Sequence, residues 1–583
     1  MNFIQRTLFL FAFLPLLSLA QQKEKPVPNW QNLDLQKDGV MGVSTERAYQ
    51  ELLKGKKGVP VVVAVIDGGV DTQHEDLKSV MWSNPSEVAG NNKDDDKNGF
   101  TDDIHGWNFI GSPQYSVQYD NLEVVRLIRK YREKYASVVN STPLSPDERK
   151  EFNLYKQMVT DYMTKLENAR MGYESTSILR KNVDSIASRI GKKQLTLDDF
   201  EQYKARNEIE SKVLKVVKSE LRKEHDYKKF KEDLDDAYKY YSSQVNYNLN
   251  IDFDPRDSVK DDYSNGAQYH YGNADVKGPD ADHGTHVAGI IAADRHNNKG
   301  VKGVAENVQI MSVRTVPTGD ERDKDVANAI RYAVDNGAKV INMSFGKSYS
   351  WDKHLVDSAV RYAASKDVLL VHAAGNDSKN TDIENNFPTR IFADSVDANF
   401  WGMNRKVSIV PGAGQRPMGS MGMPGSPRSN AAVKVEPDTL KFTKPKAENW
   451  IEVGASHWKN DDDLVASFSN YGRRSVDVFA PGVQINSTMP GSKYKENDGT
   501  SMAAPVVAGV AALIRSYYPS LTAVQVKDII MKSVTKVDQK VKVKEDGSTK
   551  RVKFSDICIS GGVVNAYNAL QMAAGMQQRL SSK

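Results

Sequence analysis

The chain runs to 583 residues, 39% of them hydrophobic and 26% charged, with a formal net charge of +4. Such a length exceeds one compact core of ordinary size, so a main domain with sizeable additions is expected, and so mild a charge without a dense basic cluster beside aromatics excludes a nucleic-acid binder. The single cysteine, Cys558, excludes an internal disulfide and a cysteine-based zinc finger and reads as a small buried hydrophobe.

Residues 1–20 place Arg6 before the apolar run from Thr7 to Ala20, with Ser18 and Ala20 preceding polar Gln21-Gln22-Lys23. This predicts a signal peptide cleaved after Ala20, hence export to the periplasm or the cell exterior. No cysteine near position 21 suggests a lipid anchor, and no later stretch is expected to span a membrane. A short N-terminal segment, 21–60, then leads to Val61-Val62-Val63-Ala64-Val65-Ile66-Asp67-Gly68-Gly69. A continuous β-branched run ending in an acid is the pattern of a central parallel strand whose carboxyl end delivers a functional residue. An Asp that merely caps a helix reads the same way, while a dinucleotide site is excluded because no G-x-G-x-x-G follows.

Between Asn91 and Asp103, oxygen-bearing side chains alternate around Gly99. Spacing of this kind can converge carboxylates on one hard cation, and Asp94, Asp96, Asn98 and Asp102 are the candidate calcium ligands. The loop departs from an EF-hand-type pattern in having His105 where a bidentate Glu would close it, and a solvated acidic turn is the alternative. From 112 to 250 the character changes to a charged, amphipathic helical insertion. Phe152, Tyr155, Val159, Tyr162/Met163 and Leu166 recur at helical spacing, as do Ile209, Val213, Val216/Val217 and Leu221. Ser145-Pro146-Asp147-Glu148 is a capping box that starts a helix.

Compact α/β signals resume at Asp282-His283-Gly284-Thr285-His286, followed by an apolar run. His283 at a helix start reads as a general base or as a core histidine; zinc is disfavoured because no third ligand stands at a sensible spacing. Helix-like 325–336 leads to a strand at Val340–Gly346, and helix-like 355–365 leads to one at Val368–Asn376. Helix then buried strand, twice, predicts parallel crossovers with helices on both faces of one sheet. Residues 394–446, rich in Gly, Pro and Met, read as a long loop rather than a folded module. Strand signals return at Trp450–Ala455 and Val476–Gly482, and Val541–Phe554 alternates around Asp546-Gly547 as a lysine-studded hairpin. Gly499-Thr500-Ser501-Met502-Ala503-Ala504-Pro505 sets a hydroxyl at the mouth of an apolar helix, where backbone N–H groups point outward. A capping serine and a nucleophile are both compatible with that position.

Taken together, Asp67, His283 and Ser501 stand in the chain order Asp, His, Ser, each in a glycine-bearing run. With Ala373-Ala374-Gly375-Asn376 between them, these four motifs resemble the subtilisin-like serine proteases. The resemblance implies a doubly wound α/β fold with a mostly parallel sheet, built from 61–111 and 251–575, with the helical subdomain inserted between the catalytic Asp and His. It implies a serine endopeptidase acting on peptide or protein substrates through an acyl-enzyme, without a catalytic cofactor. Ser501 would be the nucleophile, His283 the base, Asp67 its orienting partner and Asn376 the oxyanion donor. Ser344, Phe345 and Gly346 would form the edge that pairs with substrate, and Ala374 and Gly375 a wall of the first specificity pocket. Asp76 matches a family calcium ligand, with Asn297 as its partner and Asn298 as the alternative.

Three departures from the family pattern stand out. Gly68 replaces the hydroxyl residue common after the catalytic Asp, and the Asp-to-His gap is widened by the insertion. Residues 21–60 are too few for the folded inhibitory propeptide common among secreted members. Latency is therefore expected to be handled differently, with the insertion serving as a lid or as a docking arm for a partner. A catalytically silent binding protein of the same fold is the rival reading.

Overall fold

The computed structural model describes residues 25–393, 407–411, 431–435, 445–545 and 547–581. The predicted signal peptide, 1–20, and most of the 394–446 loop lie outside them. The chain divides into two compact units: a helical unit holding Tyr119–Pro255 and Thr318–Asp320, and an α/β unit holding Val27–Gln118, Arg256–Pro317 and Glu321–Lys583.

The α/β unit is built on a nine-stranded sheet. Its strands are β1 (Val61–Asp67), β2 (Gly106–Asn108), β3 (Val308–Arg314), β4 (Val340–Met343), β5 (Leu369–Ala373), β6 (Trp450–Ser456), β7 (Val478–Pro481), β8 (Thr535–Lys536) and β9 (Gly562–Val563). The spatial order is β8-β9-β7-β6-β5-β4-β1-β3-β2, and every pairing is parallel except β8 with β9. Four helices flank it: α1 (Asp282–Ala292), α2 (Asp323–Asp335), α3 (Lys353–Ser365) and α4 (Thr500–Tyr517).

The two-residue period of a strand explains the layering. In β1, Val61, Val63 and Val65 join one core with Val287 and Ile291 of α1 and Val507 and Val510 of α4. Ala64 and Ile66 join the opposite core with Val326 and Ile330 of α2 and Val356 and Val360 of α3. A continuous apolar run is therefore needed, because both faces of β1 are covered. Asp67 shares the parity of Val65, on the side of α1 and α4. Among the described residues α4 alone is long and apolar enough to cross a membrane, and it is a core helix with most of its surface buried. Cys558 is buried as expected, and desolvation pushes its thiol up to about 11.

The helical unit contains the helices Glu123–Tyr135, Pro146–Ile190, Glu208–Glu224 and Tyr227–Ser243. The second begins where the sequence predicts: Glu148 N–H donates to Ser145 Oγ (3.3 Å), and Ser145 N–H donates back to Glu148 Oε2 (2.9 Å). The far part of this helix packs Leu179, Val183 and Ile186 onto Val213, Val217, Leu221, Phe230 and Leu234, a core of its own.

Several expectations need correcting. The helical unit starts at 119 rather than 112, because Gly111–Ser112 pairs with Tyr115–Ser116 as a small hairpin and Val117 is buried with Ile110 and Val259 in the α/β unit. Within the long helix Phe152 and Leu166 are buried as expected, but Leu154 and Met158 are buried in addition while Met163 is exposed; Ile209 is exposed as well. Residues 27–60 are not a separate segment, since Trp30, Val43, Ala48 and Leu53 belong to the main core. Inside the expected Gly/Pro/Met loop, Val407–Pro411 and Ala431–Val435 pair antiparallel.

Candidate active site

Strand register brings the sequence candidates to one edge. Ile66 of β1 is level with Met343 of β4, and Met343 with His372 of β5. The next residues along, Asp67, Ser344 and Ala373, therefore leave the carboxyl ends of three adjacent parallel strands together, the place where open α/β sheets bind ligands.

Asp67 is buried and faces the first turn of α1. Its Oδ1 and Oδ2 lie 2.8 and 2.9 Å from His283 Nδ1, and Gly68 N–H donates to Oδ1 at 2.7 Å. The turn after β1 is tied to the same helix by Asp71 N–H donating to Thr285 Oγ1 (2.8 Å). The His283 side chain keeps 44% of its surface exposed. Desolvation pulls its pKa down, but the charge and hydrogen bonding of Asp67, with the charge of Asp280, outweigh this and hold it above the ordinary 6.5.

Ser501 occupies the first turn of α4, half-buried, with Gly499 before the helix. Its Oγ donates to the Ser344 carbonyl at 3.0 Å rather than to His283. In return Ser344 Oγ donates to the Ser501 carbonyl at 3.0 Å and accepts from Asn342 Nδ2 at 2.9 Å. That carbonyl is free because Pro505, four residues on, has no N–H to close the helical bond. The proline thus ties the Ser501 turn to the end of β4 instead of to its own helix.

Asn376, exposed after β5, accepts from Thr500 N–H (2.9 Å) and Thr500 Oγ1 (2.8 Å) through its Oδ1, which leaves the amide N–H₂ as the donor end. Thr500 Oγ1 also accepts from Gly375 N–H at 3.1 Å. Gly375 has φ +99°, and a Cβ there would lie 2.5 Å from Asn470 Nδ2, so this turn requires glycine. Asn470 holds it from the other side: Nδ2 donates to Ala374 O (2.8 Å) and Oδ1 accepts from the Asp377 and Lys379 N–H groups (3.0 and 2.8 Å). Phe345 and Gly346 follow β4 as Ala374 and Gly375 follow β5, so the expected substrate-pairing edge and pocket wall stand side by side on neighbouring strands. Sequence reading assigned no role to Thr500 or Asn470; the signals were their places directly before the serine and inside Ser469-Asn470-Tyr471-Gly472.

The expected metal ligands separate into two places. Asp76 and Asn297 meet, but as acceptor and donor: Asn297 Nδ2 donates to Asp76 Oδ1 (2.6 Å), while Val301 N–H and Tyr494 OH donate to Oδ2 (3.0 and 3.1 Å). In the acidic loop, Asp94 accepts the Asn98 and Gly99 N–H groups, and Asp102 accepts those of Gly90, Asn91 and Asn92, so both cap turns. Asp96 instead comes together with Glu87 and Asp103, with one carboxylate oxygen of each within 4.8 Å of the others. Asn98 Nδ2 donates to Asp96 and Asp103 (3.1 and 3.2 Å), and Asn84 Nδ2 does the same (3.0 and 2.8 Å). Burial pushes the Asp103 carboxyl up to about 6, against its hydrogen bonds from Tyr332, Asn84 and Asn98. Three carboxylates with amides beside them have the chemistry of a hard-cation site. The sequence reading did not single out Glu87, which precedes the alternating run, or Asp103, which ends it.

Residues 58–549 match the family model described as the Subtilase family. A thermophilic serine proteinase of Bacillus sp. (strain AK1) is 33% identical over 291 residues, 49% of this chain and 52% of that protein. Subtilisin NAT of Bacillus subtilis subsp. natto is 34% identical over 256 residues, 43% of this chain and 50% of that protein. A solved structure described as proteases from Pseudoalteromonas arctica PAMC 21717 covers 52% of this chain and 78% of its own, at 25% identity and a TM-score of 0.36. The chain spans about half the length of the curated relatives it matches.

Proposed function

Because the chain belongs to the subtilase family, we infer that it is an exported serine endopeptidase that cleaves peptide or protein substrates through an Asp67-His283-Ser501 triad. The observation that carries this reading is the two-oxygen clasp of Asp67 on His283 Nδ1, at the edge where Ser501 opens α4. The clasp leaves Nε2 as the proton acceptor and fixes the imidazole in the tautomer a base needs.

On substrate binding, Ser501 Oγ exchanges the Ser344 carbonyl for His283 Nε2. Oγ then forms a bond to the scissile carbonyl carbon as its proton passes to Nε2, and the carbonyl π electrons move onto oxygen. The resulting oxyanion lies between Asn376 Nδ2 and the Ser501 N–H, one of the first-turn amides that a helix leaves unpaired. Collapse breaks the C–N bond, and the imidazolium gives its proton to the leaving amine. Water repeats the sequence on the acyl-enzyme, with His283 again as base. Ser344–Gly346 pairs with the extended substrate backbone, beside the wall made by Ala374 and Gly375.

Labelling the folded, secreted protein with a fluorophosphonate tests this. The expected result is one adduct on Ser501 that is lost in Ser501→Ala; a folded protein with no adduct would leave the silent binding protein as the reading. Export is tested by sequencing the N-terminus of the secreted form, expected at Gln21.

Calcium enters the same proposal at the loop of Glu87, Asp96 and Asp103, where three carboxylates converge. An ion held only by the folded state stabilises it by mass action. Chelation should therefore lower Tm, added calcium should restore it, and Asp96→Asn should remove the difference. A Tm indifferent to chelation would reject calcium here.

A further inference from the structure

A buried guanidinium stands between the two members of the Asp67–His283 pair, and neither of their motifs contains it. Arg314 closes β3, level with Asp67 at the end of β1 and with Asn108 at the end of β2. Equal register in adjacent parallel strands puts its side chain on the same face of the sheet as that of Asp67. Only 1% of Arg314 is exposed, and desolvation pulls its pKa down to about 10 against the charges of Asp275 and Asp280. Its hydrogen bonds go to uncharged oxygens. Nε donates to Gly68 O at 2.7 Å, Nη1 to Asn108 Oδ1 at 3.1 Å, and Nη2 to Val117 O.

Gly68 is therefore held at both of its polar groups: its N–H grips Asp67 Oδ1 at 2.7 Å, and its carbonyl is gripped by Arg314. A glycine has no side chain to fix its own conformation, so the aim of that N–H depends on what holds the carbonyl. The main chain beyond Arg314 secures the same acid from another side, since Thr315 and Val316 N–H donate to Asp67 O at 2.9 and 3.2 Å. The guanidinium also lies against the segment that enters α1. A Cβ on Gly278, five positions before His283, would run into Arg314 Nε and stand 2.6 Å from Cζ. That segment is tied to the turn after Asp67 by Val70 N–H donating to Val276 O at 3.0 Å.

We propose that Arg314 is a positioning residue for the Asp67–His283 clasp: through Gly68 it aims the carboxylate, and by packing on Gly278 it sets the approach of the segment that delivers the imidazole. The proposal rests on the reading of Asp67 and His283 as members of the triad. Packing alone does not call for a guanidinium here, because burying a cation without a carboxylate in contact costs more than burying an apolar side chain of the same volume. A planar fork with donors in fixed directions is what three separate oxygens require. A side chain that fills the space without the fork releases the Gly68 carbonyl. A misplacement on the order of an ångström, arising away from the reacting atoms, costs about 100-fold in rate.

The test measures kcat and KM per folded molecule of the full chain, with the Arg314 changes made alone and on top of Asp67→Asn. Arg314→Met is expected to lower kcat by about 10- to 100-fold with little change in KM, since it alters the aim of the acid and not the strand ends 344–346 and 374–375. Arg314→Lys keeps the cation and a donor for Gly68 O, and is expected to recover part of the loss. On the Asp67→Asn background either change should cost no more than about 2-fold further, because no carboxylate is left to aim. Equal losses in the two backgrounds, or an unchanged kcat in folded Arg314→Met, would overturn the role of Arg314. Should Arg314→Met fail to fold, Arg314→Lys gives the same comparison with the buried charge retained: a loss confined to the Asp67 background supports the role, and no loss or an equal loss overturns it. A folded wild type that takes no fluorophosphonate label speaks instead against the serine peptidase reading beneath the proposal.

Discussion

Two carboxylate–histidine pairs sit on the same sheet with nearly the same geometry and opposite surroundings. His283 Nδ1 lies 2.8 and 2.9 Å from the Asp67 oxygens, and His372 Nδ1 lies 2.9 and 3.1 Å from those of Glu452. His283 opens a helix and is 44% exposed, whereas His372 is in mid-strand with no exposed side-chain surface, and its Nε2 is buried without a partner. Glu452 is further committed to Trp450 Nε1 at 2.9 Å, and its N–H is held by Asp477. The hydrogen bond that orients an imidazole is thus the same in both places. Only the pair at a strand end leaves the second ring nitrogen open to a substrate.

The largest effect should come from the open pair and its nucleophile. Ser501→Ala or His283→Ala should lower kcat by about 10⁶-fold, a magnitude measured on a subtilisin and carried over to this chain. Asp67→Asn should lower kcat by about 10⁴-fold, the magnitude known for the same change in another serine protease triad. It should also displace the pH profile. The base must be neutral, and Asp67 and Asp280 hold His283 above 6.5, so the acid limb of kcat/KM in the wild type should have its midpoint above that value. With the Asp67 charge gone, desolvation acts with less opposition and the midpoint should move to lower pH. A limb that stays in place would mean that Asp67 does not set the base. Asn376→Ala should follow, at about 10²- to 10³-fold in kcat with little change in KM, again a magnitude taken from a subtilisin.

His372→Leu sharpens the contrast from the other side. It removes a hydrogen-bonded buried pair, so stability should fall by about 1–3 kcal/mol, read as a lower Tm, while kcat of the folded enzyme changes by no more than a few-fold. A large loss of kcat at unchanged Tm would erase the distinction between the two pairs.

The contrast also marks what the sequence can disclose. Asp67 was legible because a both-faces-buried strand ends abruptly in an acid, and His283 and Ser501 because each interrupts an apolar helix at its first turn. The alternating parallel core followed from the same apolar runs. Contacts made across the chain left weaker traces: Asn386 reaches Gly346, 40 positions away, and its neighbours Asn385 and Phe387 give no pattern that names it. Glu452 looked like one polar residue in a strand, and only register with His372 explains it. In the acidic loop, spacing singled out Asp94, Asp96, Asn98 and Asp102, but alternation cannot say which carboxylates the turn amides will claim, and those of Asp94 and Asp102 cap turns. In the long helix Phe152 and Leu166 are buried as the spacing predicts, and packing rather than spacing decides that Leu154 and Met158 join them in place of Met163.

The smallest effect probes how firmly Asn376, the proposed oxyanion donor, is held. Thr500 gives Asn376 Oδ1 two hydrogen bonds, one from its hydroxyl and one from its main-chain N–H, and Thr500→Val removes only the first. One neutral hydrogen bond is worth about 0.5–1.5 kcal/mol, so kcat should fall by about 2- to 12-fold. Thr500→Ser, which keeps the hydroxyl, should restore most of it. The loss should be absent when Thr500→Val is made on top of Asn376→Ala, because the hydroxyl then has no amide left to aim. An equal loss in both backgrounds would mean that Thr500 acts on Gly375 or on the helix start instead, and that Asn376 is positioned by the main chain alone.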